Sequence, residues 1–330
     1  MNKRPPVGIL LLNMGGPDSL EAVGPFLYNL FSDRMIVRLG PEPLQRPLAR
    51  LISAMRAPKA RKMYELIGGK SPLNDLSWAQ AAALEEALGQ DCPSGAGQAE
   101  DGFRVYVGMN YWHPFVSESL AQASAEGIKR LIAMPLYPHY SLATTGSSLR
   151  GLKRELAKYS FECQVIPHWY RQPDYISALV LKIKEGMARF GHGEDVFVLF
   201  SAHGLPVKFL EMGDVYVEHI RGTISAVRGF LEMDYALSFQ SRTGPVKWIE
   251  PYTDEMLKEL ARQGARNVLI VPISFISDHV ETLYEIDILY KKLAKNLNIR
   301  LERTESLNTE PLLIKAMEDI ICMKRKELGW

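Results

Sequence analysis

Hydrophobic positions in this chain gather into short continuous runs separated by polar, helix-periodic stretches. Val7–Leu12, Phe103–Met109, Arg130–Pro135 and Cys163–His168 carry such runs in the first half, and Val196–Phe200, Tyr235–Gln240 and Val268–Ile273 in the second. Runs of this length, rich in β-branched and aromatic residues and closed by Gly, Pro or Ser, fit strands buried on both faces. The segments between them predict helices at Asp18–Phe31 (capped by Asp18 or Ser19), Asp75–Leu88, Pro114–Ala125, from Pro173 onward, and at Pro311–Lys324. The expected fold class is therefore α/β, with parallel sheets flanked by helices. Asp91–Gly102 (DCPSGAGQAEDG) has the composition of a mobile surface loop.

The pattern repeats. Val7–Pro17 (VGILLLNMGGP) aligns without a gap to Val196–Pro206 (VFVLFSAHGLP), which sets Met14 opposite His203. Gly127–Pro135 matches Gly264–Pro272, Pro114–Leu120 matches Pro251–Leu257, and Pro173, Ile176 and Ala178 match Pro311, Ile314 and Ala316. Self-similarity on this scale predicts two copies of one α/β unit, residues 1–172 and 173–330. The helix from Pro173 is expected to cross to the second half, and the last helix to pack back on the first. If the copies face each other, Met14 and His203 look across one cleft.

Residues 32–74 have no counterpart in the second half and read as an inserted lip. Within it Leu48, Leu51, Ile52 and Met55 share one helical face, with Arg46, Arg50 and Arg56 off or beside it. Two readings stand: a helix packed on its own domain through that face, or an apolar lip, about 46–56, that also touches a membrane surface.

Charge and composition narrow the classes. Lys plus Arg number 39 against 38 Asp plus Glu, which leaves no global field for nucleic acid or for steering a charged substrate. Ile9–Leu12 falls far short of the ~20 apolar residues of a spanning helix, and nothing before it reads as a signal peptide. Three scattered cysteines, Cys92, Cys163 and Cys322, with no CxxC spacing, suit a reducing, cytoplasmic setting and no cysteine-based metal site.

Candidate chemistry centres on His203, expected at the carboxyl end of a buried strand, where open α/β sheets bind ligands. The last central strand leads into Ser274–Asp287 (SFISDHVETLYEID). Asp278 followed by Glu281 fits a helix N-cap with its N3 partner. That leaves His279 unexplained, and also Glu285, one turn below Glu281 on the same face. One imidazole with several carboxylates suits a general-base pair or a hard-metal site. HxxxH, HExxH, GxSxG, P-loop and GxGxxG patterns are all missing. Trp248 suits either a core or the stacking of a flat ligand.

Taken together, LLNMGGPDSLEAVGPFLYNLFSD, YELIGGKSPL, YPHYSLATTGSSL, LFSAHGLP with GDVY behind it, QSRTGPVKWIEP and VPISFISDHVETLYEID resemble the ferrochelatase family over Gly8–Glu310. The resemblance implies two Rossmann-like domains with a porphyrin cleft between them, and insertion of ferrous iron into a free-base porphyrin without an organic cofactor. It makes His203 the proton acceptor or metal ligand and Glu281 its carboxylate partner. His279, Asp278 and Glu285 become a proton or metal path. Met14, Leu27, Leu30, Phe31, Tyr64, Ser71, Tyr137, Tyr216 and Trp248 fall on porphyrin-pocket positions, and Arg56 on a propionate-binding one. Met14 favours protoporphyrin, because the coproporphyrin-using relatives tend to carry tyrosine there. A non-enzymatic haem or metal carrier, or a cobalt chelatase acting on another tetrapyrrole, is the alternative.

The sequence departs from the family pattern at several places. Leu142 stands where animal members place a cluster-ligand cysteine, and Trp330 ends the chain without their cysteine-bearing tail, so no iron–sulfur cluster is expected. Val215 replaces the usual proline of GDPY, Leu289 replaces a further carboxylate, and Met55 precedes Arg56 where some members have a second arginine. A peripheral place on the inner face of the membrane is expected, with a homodimer left open beside a monomer.

Overall fold

The computed structural model describes residues 6–90 and 102–330; the expected Asp91–Gly102 loop, up to residue 101, and Cys92 lie outside the described residues. In chain order the elements are β1 (Val7–Asn13), α1 (Val23–Ser32), α2 (Glu42–Glu65), α3 (Leu73–Gln90), β2 (Phe103–Met109), α4 (Val116–Ala125), β3 (Arg130–Pro135), α5 (Ser147–Leu156) and β4 (Glu162–Val165). There follow α6 (Pro173–Ala188), β5 (Phe197–His203), α7 (Val207–Glu211), α8 (Tyr216–Arg228), β6 (Tyr235–Gln240), α9 (Thr253–Arg262), β7 (Asn267–Val271), α10 (Lys291–Asn296), β8 (Arg300–Arg303) and α11 (Pro311–Leu328). Two segments wind as π-helix, Leu142–Gly146 and Glu281–Tyr290.

The chain divides into two compact units. Unit 1 comprises Met1–Gln172 with Thr309–Trp330, and unit 2 comprises Pro173–Asn308. The helix after β4 thus belongs to unit 2, and the helix after β8 belongs to unit 1, where α11 packs on α3. Each unit holds one four-stranded, wholly parallel sheet, in the order β2-β1-β3-β4 and β6-β5-β7-β8. The two orders are the same, as the sequence repeat requires. In each sheet the first strand is central, and the connections run to opposite sides of it. That arrangement opens a crevice at the carboxyl ends of the two inner strands.

Burial explains the continuous apolar runs. Every residue of β1 is buried, as are Val198–Ala202 of β5. Leu120, Leu131 and Leu152 pack one face of the unit 1 sheet, and Leu257, Ile270 and Ile286 do the equivalent in unit 2. Full burial of such a side chain is worth about 1.5–3 kcal/mol.

Three expectations are corrected. The helix expected from Asp18 begins at Val23, with Ser19 Oγ accepting from Ala22 N at 3.2 Å in the turn before it. Pro25 sets that start, because its missing N–H is tolerated only in the first helical turn. The strand expected over Cys163–His168 ends at Val165, just before Ile166 and Pro167.

The third concerns α2. It packs on α1 through Gln45, Ala49, Ser53 and Ala57, a row of small and polar side chains at i, i+4 spacing. Gln45 is fully engaged, donating to Phe31 O and Val37 O at 2.8 and 2.9 Å and accepting from Leu39 N at 3.1 Å. The apolar stripe is therefore not the packing face. Leu51 and Met55 stay 58% and 71% exposed, and Leu48 and Ile52 half-buried.

Candidate active site

Three strand ends of unit 2 deliver the chemistry. His203 is the last residue of β5, and its backbone is fixed from both sides: N donates to Ser274 Oγ at 2.9 Å, and O accepts from the Tyr216 hydroxyl at 3.1 Å. Gly204 lets the chain leave β5 hard against β6. A Cβ there would sit 2.8 Å from the Gln240 carbonyl oxygen and 3.3 Å from the Trp248 ring. Trp248 is half-buried beside this turn, with Nε1 donating to Thr243 O at 3.0 Å.

Glu281, the first residue of the second π-helix, places Oε2 2.8 Å from His203 Nδ1. The same oxygen accepts from Ser241 Oγ at 2.7 Å. Ser241, directly after β6, has φ of 68°, a left-handed backbone that non-glycine residues seldom adopt. Its N–H donates to Glu285 Oε1 at 2.9 Å, and its hydroxyl also lies within hydrogen-bond reach of Glu285 Oε2. Glu285 accepts further from the Tyr290 hydroxyl at 2.8 Å and from Gln240 Nε2 at 3.3 Å. π-Helices are rare and concentrate at functional sites.

Electrostatics separates these groups. Burial alone would lower the proton affinity of His203, but the charge and hydrogen bond of Glu281, with Glu285 behind, outweigh it and raise its pKa above 6.5. Burial alone would raise Glu281, but the charge and hydrogen bond of His203, with smaller help from His279 and Ser241, pull it down to about 2. The two partners agree: the pair favours imidazolium and carboxylate. Glu285 is raised, by burial first and by the Glu281 charge second. His279 is lowered by burial. Its Nδ1 lies 3.1 Å from Ser277 O, a contact only an N–H can make, so Nε2 carries a lone pair, and that atom is buried with no hydrogen-bond partner. Phe275 stands edge-on to both rings, 6.2 Å from His203 and 4.2 Å from His279.

Asp278 is corrected. It does not cap the helix with Glu281; Val280 precedes the π-helix without a side-chain cap. Asp278 Oδ1 instead accepts from Arg303 Nη1 at 3.0 Å, Ser306 Oγ at 2.8 Å and Thr282 Oγ1 at 3.0 Å. Burial works against its ionisation, yet Arg303 and these hydrogen bonds hold its pKa below the ordinary value.

The remaining candidates divide between the units. Tyr216 in unit 2 is buried, its hydroxyl shared between His203 O and Ser274 Oγ. In unit 1, Met14 is half-buried after β1, its N–H held by Asn13 Oδ1 at 2.8 Å and its carbonyl by Tyr111 N at 2.9 Å. Tyr137, after β3, hydrogen-bonds Ser148 and the Met14 backbone, and burial pushes its phenol up. Leu27, Leu30 and Phe31 are half-buried on α1, and the Arg56 guanidinium lies over the Phe31 ring at 5.4 Å. Tyr64 and Ser71 are 6% and 3% exposed and offer little surface to a ligand. Ser71 packs where a Cβ on Gly16 would collide, so this glycine serves a close approach within the unit.

Ser241, Gln240, Ser274 and Arg303 complete the site and are not singled out by the sequence pattern. For Ser241 and Ser274 the available signal is position, directly or closely after a buried strand. Chemically, His203 Nδ1 is committed to Glu281, which leaves Nε2 to take a proton from a reactant, with the carboxylate stabilising the imidazolium formed. Among the described residues, no group of three or more His, Cys, Asp or Glu is arranged to hold a metal ion.

Comparison with known proteins gives a consistent picture. The ferrochelatase family model matches residues 6–325. Ferrochelatases of Desulfotalea psychrophila and Geotalea daltonii are each 50% identical to this chain, over 96% and 95% of it and 96% of their own lengths. That of Synechococcus elongatus is 45% identical over 96% of this chain and 81% of its own. Among solved structures, SirB from Bacillus subtilis with Fe3+ superposes with a TM-score of 0.58 at 12% identity, covering 98% of this chain and 97% of that one. The sirohydrochlorin chelatase SirB from B. subtilis subspecies spizizenii, in complex with cobalt, gives 0.53 at 11% identity, with 98% and 97% covered. At such identity these two bear on the fold alone.

Proposed function

The chain belongs to the ferrochelatase family, metal chelatases of the lyase class that insert iron into porphyrin to make haem, and we propose that it acts on protoporphyrin with His203 and Glu281 as the working pair. The observation that carries this reading is the 2.8 Å contact of His203 Nδ1 with an ionised Glu281 at the carboxyl end of the central strand β5. Insertion of ferrous iron expels two pyrrole N–H protons. Neutral His203 accepts the first at Nε2, with Glu281 stabilising the charge that results, and takes the second after releasing the first to solvent. Because Glu281 raises the His203 pKa, the imidazole is a stronger base than a free one, and the reactive neutral form grows as pH rises.

Met14, Tyr137, Leu27, Leu30 and Phe31 supply the apolar and aromatic contacts for the macrocycle, and Arg56 one for a propionate. His279, Glu285 and Asp278 lie on the route by which protons leave or iron arrives. No organic cofactor and no iron–sulfur cluster is required. No helix among the described residues is long and apolar enough to cross a membrane. The exposed stripe of α2, with Arg46, Arg50 and Arg56 beside it, supports peripheral contact with an anionic membrane surface on the cytoplasmic side.

The deciding experiment is anaerobic turnover of ferrous iron with protoporphyrin and with coproporphyrin, followed by the change in porphyrin absorbance. Higher kcat/KM on protoporphyrin is expected. Preference for coproporphyrin overturns the substrate assignment, and binding of both without metal insertion overturns the enzymatic one.

A further inference from the structure

Arg303 ends β8, and its side chain is almost buried, 11% exposed. Nε and Nη2 donate in parallel to the two oxygens of Asp287 at 2.9 and 2.8 Å, while Nη1 donates to Asp278 Oδ1 at 3.0 Å. One cation thus joins a carboxylate ahead of the π-helix to a carboxylate inside it. The loop after β8 reinforces the grip: Ser306 Oγ and Asn308 Nδ2 donate to Asp278 at 2.8 and 3.1 Å, and Asp278 N donates to Asn308 Oδ1 at 3.0 Å. From Asp278 the connection reaches Thr282, whose Oγ1 donates to Asp278 Oδ1 and accepts from His279 N, each at 3.0 Å. Thr282 is the neighbour of Glu281.

We propose that Arg303 is a positioning residue for metal insertion: by clamping Asp278 to Asp287 it holds Glu281–Tyr290 in its π-helical form, and with it the reach of Glu281 to His203 and of both glutamates to Ser241. The inference rests on the roles proposed for His203 and Glu281. Three physical points carry it. A π-helix is an uncommon winding, present here where outside contacts fix both its approach and its body. The parallel fork on Asp287 is specific to a guanidinium and fixes direction as well as distance. Without Arg303, two partly buried carboxylates of like charge are left side by side, and their repulsion opens the segment that carries Glu281.

The test uses the full chain carrying Arg303→Met, Arg303→Lys or Asp287→Asn, the last keeping the Arg303–Asp278 contact and removing the fork's charge partner. Two readouts are taken: backbone hydrogen exchange over residues 281–290 without substrate, and kcat and KM with ferrous iron and porphyrin. Exchange in that segment is expected to rise by about tenfold in Arg303→Met while peptides of β5 hold their wild-type rate. Its kcat is expected to fall by about tenfold or more with KM for porphyrin within about twofold. Arg303→Lys, which keeps the charge without the fork, and Asp287→Asn should be intermediate in both. Folded variants with wild-type exchange overturn the clamp, and raised exchange with unchanged kcat overturns the positioning role. Should Arg303→Met fail to fold, Asp287→Asn decides on the same two readouts. The exchange readout is independent of the reaction, so a wild-type protein that inserts no iron would sink the functional reading without touching this measurement.

Discussion

Glu281→Gln separates chemistry from architecture at this site. Glutamine keeps the shape and an acceptor for His203 Nδ1–H, and loses only the charge. The fall of Glu281 from 4.5 to about 2, at about 1.4 kcal/mol per pKa unit, bounds the stability linked to its ionised form at about 3 kcal/mol. Part of this returns in the variant, because Glu285 no longer faces a like charge. A net loss of about 1–2 kcal/mol remains, or roughly 2–8 °C in Tm at about 2–4 °C per kcal/mol. The loss depends on pH from both sides. His203, raised above 6.5, contributes in full below about pH 6.5 and loses its contribution as pH rises through its folded value. Glu281, depressed, contributes in full above about pH 4.5 and loses it as pH falls towards about 2. The Tm gap between wild type and variant should therefore be widest between about pH 4.5 and 6.5. Rate should fall much further than stability, by about 10²-fold or more in single-turnover iron insertion. The acid limb of the rate profile should also move to lower pH, since only the smaller influence of Glu285 then opposes burial at His203. A variant that keeps the wild-type rate and limb while its Tm falls would refute the catalytic reading and leave Glu281 a structural partner.

Three further outcomes are expected. His203→Ala should nearly abolish insertion in a protein that still folds but is less stable by about 1–3 kcal/mol, because the Glu281 charge loses its main partner; retention of most of kcat would remove His203 as base or ligand. Gly204→Ala should cost about 1–3 kcal/mol, since the new Cβ meets a backbone oxygen at 2.8 Å, and an unchanged Tm would show that the β5–β6 exit relaxes freely. Leu48→Ser, Leu51→Ser, Ile52→Ser combined should lose flotation on anionic vesicles that wild type shows at low salt, and equal flotation of the two would leave α2 as a wall of its own unit.

The strands were the most legible part of this chain in its sequence, and the reason is local. Phe103–Met109, Arg130–Pro135 and Tyr235–Gln240 form over the spans their largely apolar runs mark, each buried towards its carboxyl end and less so at its amino end, where Arg104 and Arg130 sit. Strand-end position marked an imidazole with several carboxylates near it, and the family resemblance singled out Glu281 among them as the partner of His203. Face choice on α2 was not legible. Periodicity says which side chains share a face, and this helix carries both an apolar stripe and a small-residue row; close packing against α1 selects the second. The capping pattern at Asp278 fails for a different reason. Its partner Arg303 lies 25 residues along the chain, and a buried guanidinium outweighs a local backbone N–H.

The Ser241 hydroxyl ties together two glutamates of unlike proton affinity. It has one proton, yet it lies within reach of an oxygen of Glu281 and an oxygen of Glu285. Two ionised carboxylates would leave one of those contacts without a hydrogen, at a site where burial makes such a loss costly. Of the two, Glu285 is the one whose proton affinity is raised, by burial first and by the Glu281 charge second, whereas His203 holds Glu281 ionised. Ser241 thus joins the two glutamates: its hydroxyl donates to Glu281 at 2.7 Å within reach of Glu285, and Glu281 accepts from His203. Replacing iron's two positive charges for two pyrrole protons leaves the net charge of the porphyrin complex unchanged, so the protein need only carry the protons away. Ser241→Ala tests the connection. It removes the shared hydroxyl and leaves the His203–Glu281 contact in place, so porphyrin binding should persist while insertion slows by about tenfold or more. Wild-type turnover by a folded Ser241→Ala protein would mean that protons leave His203 by another route.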